Sequence, residues 1–556
     1  MNTELLLQHF KRLSESPDAI PRLRRFILDL AVRGKLLEQD SNEEPAAELL
    51  KRIQAEKARL VKAGKAAKQD PFEVPSQTDV PFPIHQSWAW VAATYPAYLI
   101  SDLGKKIQTK DVLESGAFPV VDQGKVFIRG YCNDETKVIH IKAPIVLFGD
   151  HTRETKLIDF DFVVGADGVK LLQPVGLLTD YYYLALQWLP LDSRGYGRHF
   201  KLLRAAFLPL PPLAEQHRIV TKVDELMTLC DQLEVAKADR EQSRDRLVAA
   251  SLQRLNQPAN TEEAYSDDVR FTFNHLPRLT TRPVHIKQLR QTILNLAVRG
   301  KLVSQDSNDE PAKALLEEIK SENYRLQQEK GIRSQKPAEP NKTYEGSVAI
   351  PNNWVHAYLQ DLAYQITDGT HLTPKYTEEG KPFLSAQNIK PFRFMPEKYR
   401  LVSVADFENY RANRKPECGD VLLTRVGAGI GEAAVLDSDF EFAFYVSLCL
   451  IKIPTRLLNQ DYLVLWLNSP EGRESSTART YGKGASQGNL NLGLIRTFKI
   501  PLPPLAEQRR IVAKVDELMA LCDQLEAQLS TTETDSRRLL EAVLNEALAP
   551  ALEEAA

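Results

Sequence analysis

The chain has 556 residues, with 71 Lys and Arg against 74 Asp and Glu, a net charge of -3. At about 100–200 residues per domain that length asks for several domains, and 43% hydrophobic with 26% charged residues is the make-up of a globular chain, not a disordered one. The near-neutral balance excludes a protein that coats nucleic acid by bulk positive charge, five cysteines with no CxxC exclude a disulfide framework or a zinc ribbon, and there is no apolar run of about 18 residues to span a membrane.

In chain order, residues 1–60 read as a helical segment. The stretch MNTELLLQHFKRLSESPD lacks the apolar core of a signal peptide, so the cytoplasm is the expected location. Leu23, Phe26, Ile27, Leu30 and Ala31 recur at helical spacing, Gly34 is placed to cap the helix, and Pro45 to start another. Residues 61–87, with Pro71, Pro75, Pro81 and Pro83, read as a linker. Residues 88–208 read as a mixed α/β domain, with strands at 143–148 and 160–164 and a helix at 181–188. Residues 209–256 form a long helix, in which Ile219, Val223, Leu226, Cys230 and Leu233 make an a/d seam. A linker at 257–282, a second helical segment at 283–330 and a linker at 331–350 follow. A second α/β domain at 351–500 has strand candidates at 420–425 and 445–453 and a helix at 462–467. A second long helix occupies 501–550, with Ile511, Val515, Leu518, Cys522, Leu525 and Leu529 on its seam.

The order of elements reflects an internal repeat. PLPPLAEQHRIVTKVDELMTLCDQLE at 209–234 and PLPPLAEQRRIVAKVDELMALCDQLE at 501–526 agree at 23 of 26 positions. Residues 23–50 and 289–316 agree at 20 of 28, and the same offset sets Trp88 on Trp354. The domains between these flanks barely align. The chain is therefore two copies of one unit, expected as an α+β fold: two mixed α/β domains separated by two long antiparallel coiled-coil helices around a pseudo-two-fold axis. Each helix is expected to be roughly 55 Å long, with Cys230 and Cys522 as seam residues, not nucleophiles. Identical flanks imply one surface used twice, and divergent middles imply two different things recognised.

Most enzyme chemistry is missing. There is no Walker loop, no NPP[YF] methyltransferase signature and no HxxxH or HExxH. Gly427 to Gly431 reads as a tight turn after a strand. Asp150 with Glu154 is a loose match to a metal-dependent nuclease. Basic-aromatic stretches remain: residues 390–415 carry seven Lys/Arg against three Asp/Glu, interleaved with Phe392, Phe394, Tyr399, Phe407 and Tyr410. RGYGRHFK at 194–201 and RTYGKGASQGNLN at 479–491 are rich in donors for phosphates and base edges. Neither domain is basic as a whole: residues 92–204 hold 14 bases and 13 acids, residues 361–500 hold 17 and 16.

With PLPPLAEQHRIV and PLPPLAEQRRIV, VLFGDHTRETK at 146–156, FVVGADGVKLL at 162–172, ITDGTHLTPKY at 366–376 and GDVLLTRVGAGIGEAAV at 419–435, the chain resembles the specificity subunit of type I restriction-modification systems over nearly its whole length. The resemblance implies two target-recognition domains that each read half of a split, asymmetric DNA site, and long helices that fix the unread spacer. It implies a chain that catalyses nothing and binds no cofactor or metal itself. Two modification (methyltransferase) subunits with S-adenosylmethionine, and restriction subunits with ATP and Mg, are the implied partners beside double-stranded DNA. The DNA contacts expected are His151, Arg153, Arg194, Tyr196, Arg198 and His199 in the first domain. In the second they are Thr367, Asp368, His371, Thr373, Arg425, Tyr481, Lys483, Gln487 and Asn489. The partner surface is expected at Leu213, Glu215, Gln216 and Ile219, and at Leu505, Glu507, Gln508 and Ile511. A scaffold that reads no bases and a self-sufficient nuclease at Asp150 and Glu154 are the rival readings.

Overall fold

The computed structural model describes residues 16, 18–67, 75–76, 80–165, 168–192, 195, 197–256, 262–333, 337–338, 349–478 and 488–548. The chain divides into two compact units, residues 1–240 with 532–556, and residues 241–531. Each contains a helical base, a mixed α/β domain and parts of both long helices.

In the first unit the helices Ala19–Val32 and Ala46–Lys62 form the base. Gly34 takes the left-handed conformation that ends the first of them, at φ +66°. Pro45 stands one residue before the second, as its N-cap. The domain is then enclosed by a two-stranded antiparallel ribbon: Ala89–Ala92 pairs with Phe207–Leu210, Ala89 opposite Leu210. Inside the ribbon, an antiparallel sheet runs in the spatial order Ala97–Ile100, Val169–Pro174, Ile145–Gly149, Thr155–Ile158. All five residues of Ile145–Gly149 are buried, as a short uninterrupted apolar run leads one to expect. The helix Thr179–Trp188 covers this sheet and joins the core with Tyr181, Tyr182 and Trp188.

The second unit repeats the plan. Pro283–Val298 and Ala312–Glu329 are the base, and Val355–Tyr358 pairs with Lys499–Leu502 as the ribbon. Its sheet runs Gln365–Asp368, Leu448–Lys452, Val421–Thr424, Ala433–Val435, the same order with the same antiparallel pairings. Domains that barely align in sequence thus share one frame. They part company in a second sheet. In the first domain it gathers short strands around Phe162–Gly165, and in the second it places Lys381–Leu384 between Arg400–Val402 and Ala443–Phe444.

The long helices are Leu213–Asn256 and Leu505–Leu548, 44 residues each. At 1.5 Å per residue that is about 66 Å, longer than expected from the sequence. Their early seam positions pack inside their own units. Ile219, Val223 and Cys230 are buried with Ile27, Ala31 and Trp88. Ile511, Val515, Leu518 and Cys522 are buried with Leu289, Ile293 and Trp354. Burial pushes both cysteine thiols up, which suits inert core residues.

Each base is closed by the far end of a long helix. In the first unit Leu540 and Leu544 pack on Ala19, Phe26 and Leu30, and Lys35 Nζ donates to the Leu548 carbonyl at 2.9 Å. In the second, Val248, Leu252 and Leu255 pack with Leu289, Ile293 and Leu296, and Arg299 donates to the Asn256 carbonyl at 2.8 Å. Residues 257–282, expected as a linker, contain the helix Glu262–Leu279, whose Leu276 and Leu279 enter this core.

Candidate nucleic-acid interface

The repeated PLPPLAEQ motif folds into a clamp at the root of each domain. Trp88 Nε1 donates to Glu215 at 2.7 Å, and Gln39 Nε2 donates to the other carboxylate oxygen at 2.6 Å. Trp354 and Gln305 treat Glu507 identically, at 2.9 and 2.5 Å. Gln216 accepts from the Leu178 amide at 2.9 Å and donates to the Pro211 carbonyl at 3.0 Å; Gln508 does the same with Asn459 and Pro503, both at 2.9 Å. Farther along, Arg24 bridges Asp231 and Glu234, as Arg290 bridges Asp523 and Glu526.

This corrects the expected partner surface. Glu215, Gln216, Ile219, Glu507, Gln508 and Ile511 are at most 1% exposed. Buried polar groups need partners, and these already have theirs inside the unit. Leu213 and Leu505 are half-buried. The exposed side of the same turns carries Ala214 and His217 in one copy and Ala506 and Arg509 in the other.

In the first domain two of the expected DNA contacts, His151 and Arg153, lie on the turn between Ile145–Gly149 and Thr155–Ile158. Arg153 lies in the left-handed region at φ +66°, unusual for a residue with a Cβ, and its guanidinium donates to the Leu191 carbonyl at 2.7 Å. His151 is half-buried, and its amide donates to Gln123 Oε1 at 3.0 Å. Arg198 is exposed. His199 is not a surface group: it is 1% exposed, and its ring nitrogen and amide both bond the Asp150 carbonyl, at 2.9 and 2.7 Å. It pins the turn. Arg194 and Tyr196 lie outside the described residues. Asp150 is buried and its carboxylate accepts from the Phe200 amide at 2.7 Å, so it caps a short helix. Among the described residues no group of three His, Cys, Asp or Glu is placed to hold a metal ion.

The sequence reading missed the loop that this turn rests on. Thr152 Oγ1 donates to the Gln123 carbonyl at 2.6 Å. Lys156, 4% exposed, donates to the carbonyls of Asp122, Val126 and Phe127 at 2.8, 2.6 and 3.4 Å. Burial pushes its ammonium pKa down while Asp122 and Glu154 push it back up. Gly168, at φ +86°, has no room for a side chain: a Cβ would come within 2.6 Å of the His151 ring. The loop tip presents Lys125, Val126 (60% exposed) and Phe127 (44%) to solvent. The signal for it was a Gly-flanked basic-aromatic run, DQGKVFIRG, like the others but shorter.

In the second domain Arg425 organises the outer loops. It is 5% exposed, which overturns its expected role as a base contact. Its guanidinium donates to Asp368 Oδ2 at 2.6 Å, to the Leu490 carbonyl at 2.9 Å, to the Val446 carbonyl at 3.2 Å and to Asn489 Oδ1 at 3.2 Å. Four of its five N–H donors are thus spent inside the domain. Around this knot, Asn489 and His371 are exposed, and His371 bonds the same Asp368 oxygen at 2.9 Å. Thr373 is exposed and Thr367 half-buried. Tyr481, Lys483 and Gln487 lie outside the described residues. Gly427 and Gly431, both at positive φ, form the expected turn. The basic-aromatic stretch divides in two: Phe407 and Tyr410 are core, while Phe392 and Tyr399 are 45% and 44% exposed. Phe392 also sits at φ +64°, and strained exposed residues of this kind favour functional surfaces.

The sequence comparisons identify this arrangement. The chain is 30% identical over 567 residues to the type I restriction enzyme EcoEI specificity subunit of Escherichia coli, covering 95% of this chain and 94% of that one. The chain belongs to the type I restriction enzyme specificity subunits. It is also 29% identical over 570 residues to the EcoAI specificity subunit of the same organism, with 95% and 94% coverage. A family model described as a type I restriction modification DNA specificity domain matches residues 351–532. The crystal structure of the HsdS subunit from Thermoanaerobacter tengcongensis aligns with a TM-score of 0.40 at 17% identity, over 86% of this chain and all of that one. Family membership rests on the sequence matches. As a specificity subunit, the chain is the non-catalytic component for DNA sequence recognition. No helix among the described residues is long and apolar enough to cross a membrane.

Proposed function

We propose that the two α/β domains each read one half of a bipartite, asymmetric DNA site, through the Gln123–Phe127 and His151–Arg153 loops in the first and the His371–Asn489 face in the second. The observation that carries this reading is one sheet frame on one clamp, bearing two chemically different loop sets. A single target would need one set. The long helices hold the two readers apart and set the unread gap; half-sites one helical turn apart need modules ~34 Å apart, well within helices of about 66 Å. The repeated helical bases recruit two modification subunits, and through them restriction subunits. S-adenosylmethionine, ATP and Mg belong to those partners, and the complex works in the cytoplasm. With bases and acids balanced in both domains, the chain alone holds DNA weakly and its partners supply much of the phosphate neutralisation.

The test is an exchange. Residues 93–206 are replaced by the corresponding domain of a relative with a different target, and methylated adenines are mapped genome-wide. One half of the methylated motif changes while the other half and the gap stay. An unchanged motif would favour a scaffold that reads no bases.

A further inference from the structure

The second unit has a cleft of about 770 Å³ between the end of helix Ala312–Glu329, the strand Gln365–Asp368 and residues 412–417. Six cations line it, Lys330, Arg333, Arg414, Lys415, Lys452 and Arg496, against two acids, Asp361 and Glu417. Residues 361–500 are balanced at 17 bases to 16 acids, yet their share of the cleft is four cations, Arg414, Lys415, Lys452 and Arg496, to two acids. Lys452 is neutralised within the protein: it is buried, 2.6 Å from Asp420 and 2.9 Å from Glu417. Lys330 lies 3.5 Å from the same Glu417. Arg333 and Lys415 are exposed and have no ion-pair partner among the described residues.

The cleft adjoins the candidate reading face. Thr367 lines it, and Arg414 reaches from its wall to the Asp368 carbonyl at 3.0 Å. Asp368 in turn holds His371 and Arg425. Cations on an open wall, one residue from the loop that meets bases, match the usual division of labour: phosphate contacts set register and base contacts set sequence.

We propose that this cleft seats the sugar-phosphate backbone of DNA beside the half-site read by the second domain, with Arg333 and Lys415 contacting phosphates. The inference rests on the reading above, and the experiment separates the two. The complex of the full chain with its modification subunits is titrated with duplex carrying its own methylated motif, across a range of salt. Arg333→Ala with Lys415→Ala removes two exposed side chains that hold no ion pair among the described residues. Each lost phosphate contact should flatten the slope of log affinity against log salt by about one, so the double variant flattens it by about two. Affinity falls equally on matched and mismatched duplexes, and Lys415→Arg retains the slope. Neutral methylphosphonate linkages scanned along the duplex should weaken the parent complex at two positions beside one half-site and leave the double variant unaffected there. An unchanged slope, a changed sequence preference, or equal weakening of both complexes by every neutral linkage overturns the proposal. A parent complex that does not prefer its own motif undoes the two-reader reading itself, and the proposal with it.

Discussion

In the first recognition domain a buried lysine gathers loop carbonyls, three of them around Lys156 Nζ. In the second a buried arginine ties together a carboxylate, two carbonyls and an amide around Arg425. The clamps at Glu215 and Glu507 share the same pair of donors, a Trp indole and a Gln amide. The contrast separates two demands. The base must present the same geometry twice, so the same residues recur. The loops need only be rigid, and any buried donor that satisfies the surrounding acceptors meets that need, so their sequences are free to diverge with the target.

The comparison can be broken at its most charged point first. Arg425→Ala leaves Asp368 without its buried partner and should cost about 3–5 kcal/mol in denaturant unfolding of the full chain. Lys156→Ala exposes uncharged carbonyls instead and should cost about 1–3 kcal/mol; equal losses would mean that the two ties work alike. Next come the clamps. Glu215→Ala and Glu507→Ala each remove the closest acceptor of a Trp indole N–H and of a Gln amide, for about 1–3 kcal/mol, and the two losses should agree within about 0.5 kcal/mol. A larger gap would deny that the bases are equivalent.

Phe127→Ala sharpens the contrast between stability and reading. An exposed side chain should change stability by less than about 0.5 kcal/mol, yet the methylation map should show relaxed choice in one half-site alone. The smallest effect is on pH dependence. Burial raises both clamp carboxyls above their unfolded pKa, with the Trp and Gln donors and the nearby arginine pulling back. A raised carboxyl contributes stability that is full below its unfolded pKa of about 4.3 and is lost as pH rises through the folded value. Glu215→Gln and Glu507→Gln should each flatten the decline of stability above about pH 4.3.

The frame was legible in the sequence because repeats and periodicity are local signals. The strands at 145–149 and 421–424, the helices at 179–188 and 460–468 and both long helices stand where pattern placed them. The site was less so. Arg425, His199, Glu215 and Gln508 have the chemistry of surface contacts, and only the fold shows that other parts of the chain already occupy them. Burial of a polar residue depends on partners far away in sequence: His199 meets Asp150, and Glu507 meets Trp354. The helix Glu262–Leu279 was missed because its polar composition hides a period that becomes useful only against Ile286 and Leu289.

The closing of each base by a distant helix end has a consequence for synthesis. Every part of the second unit lies within residues 241–531, so it is complete once that stretch has left the ribosome. The first unit needs residues 532–548 to cover Phe26 and Leu30. Domains usually fold in the order they are made; here the half that is translated first must keep an apolar helix face uncovered until the second half is finished.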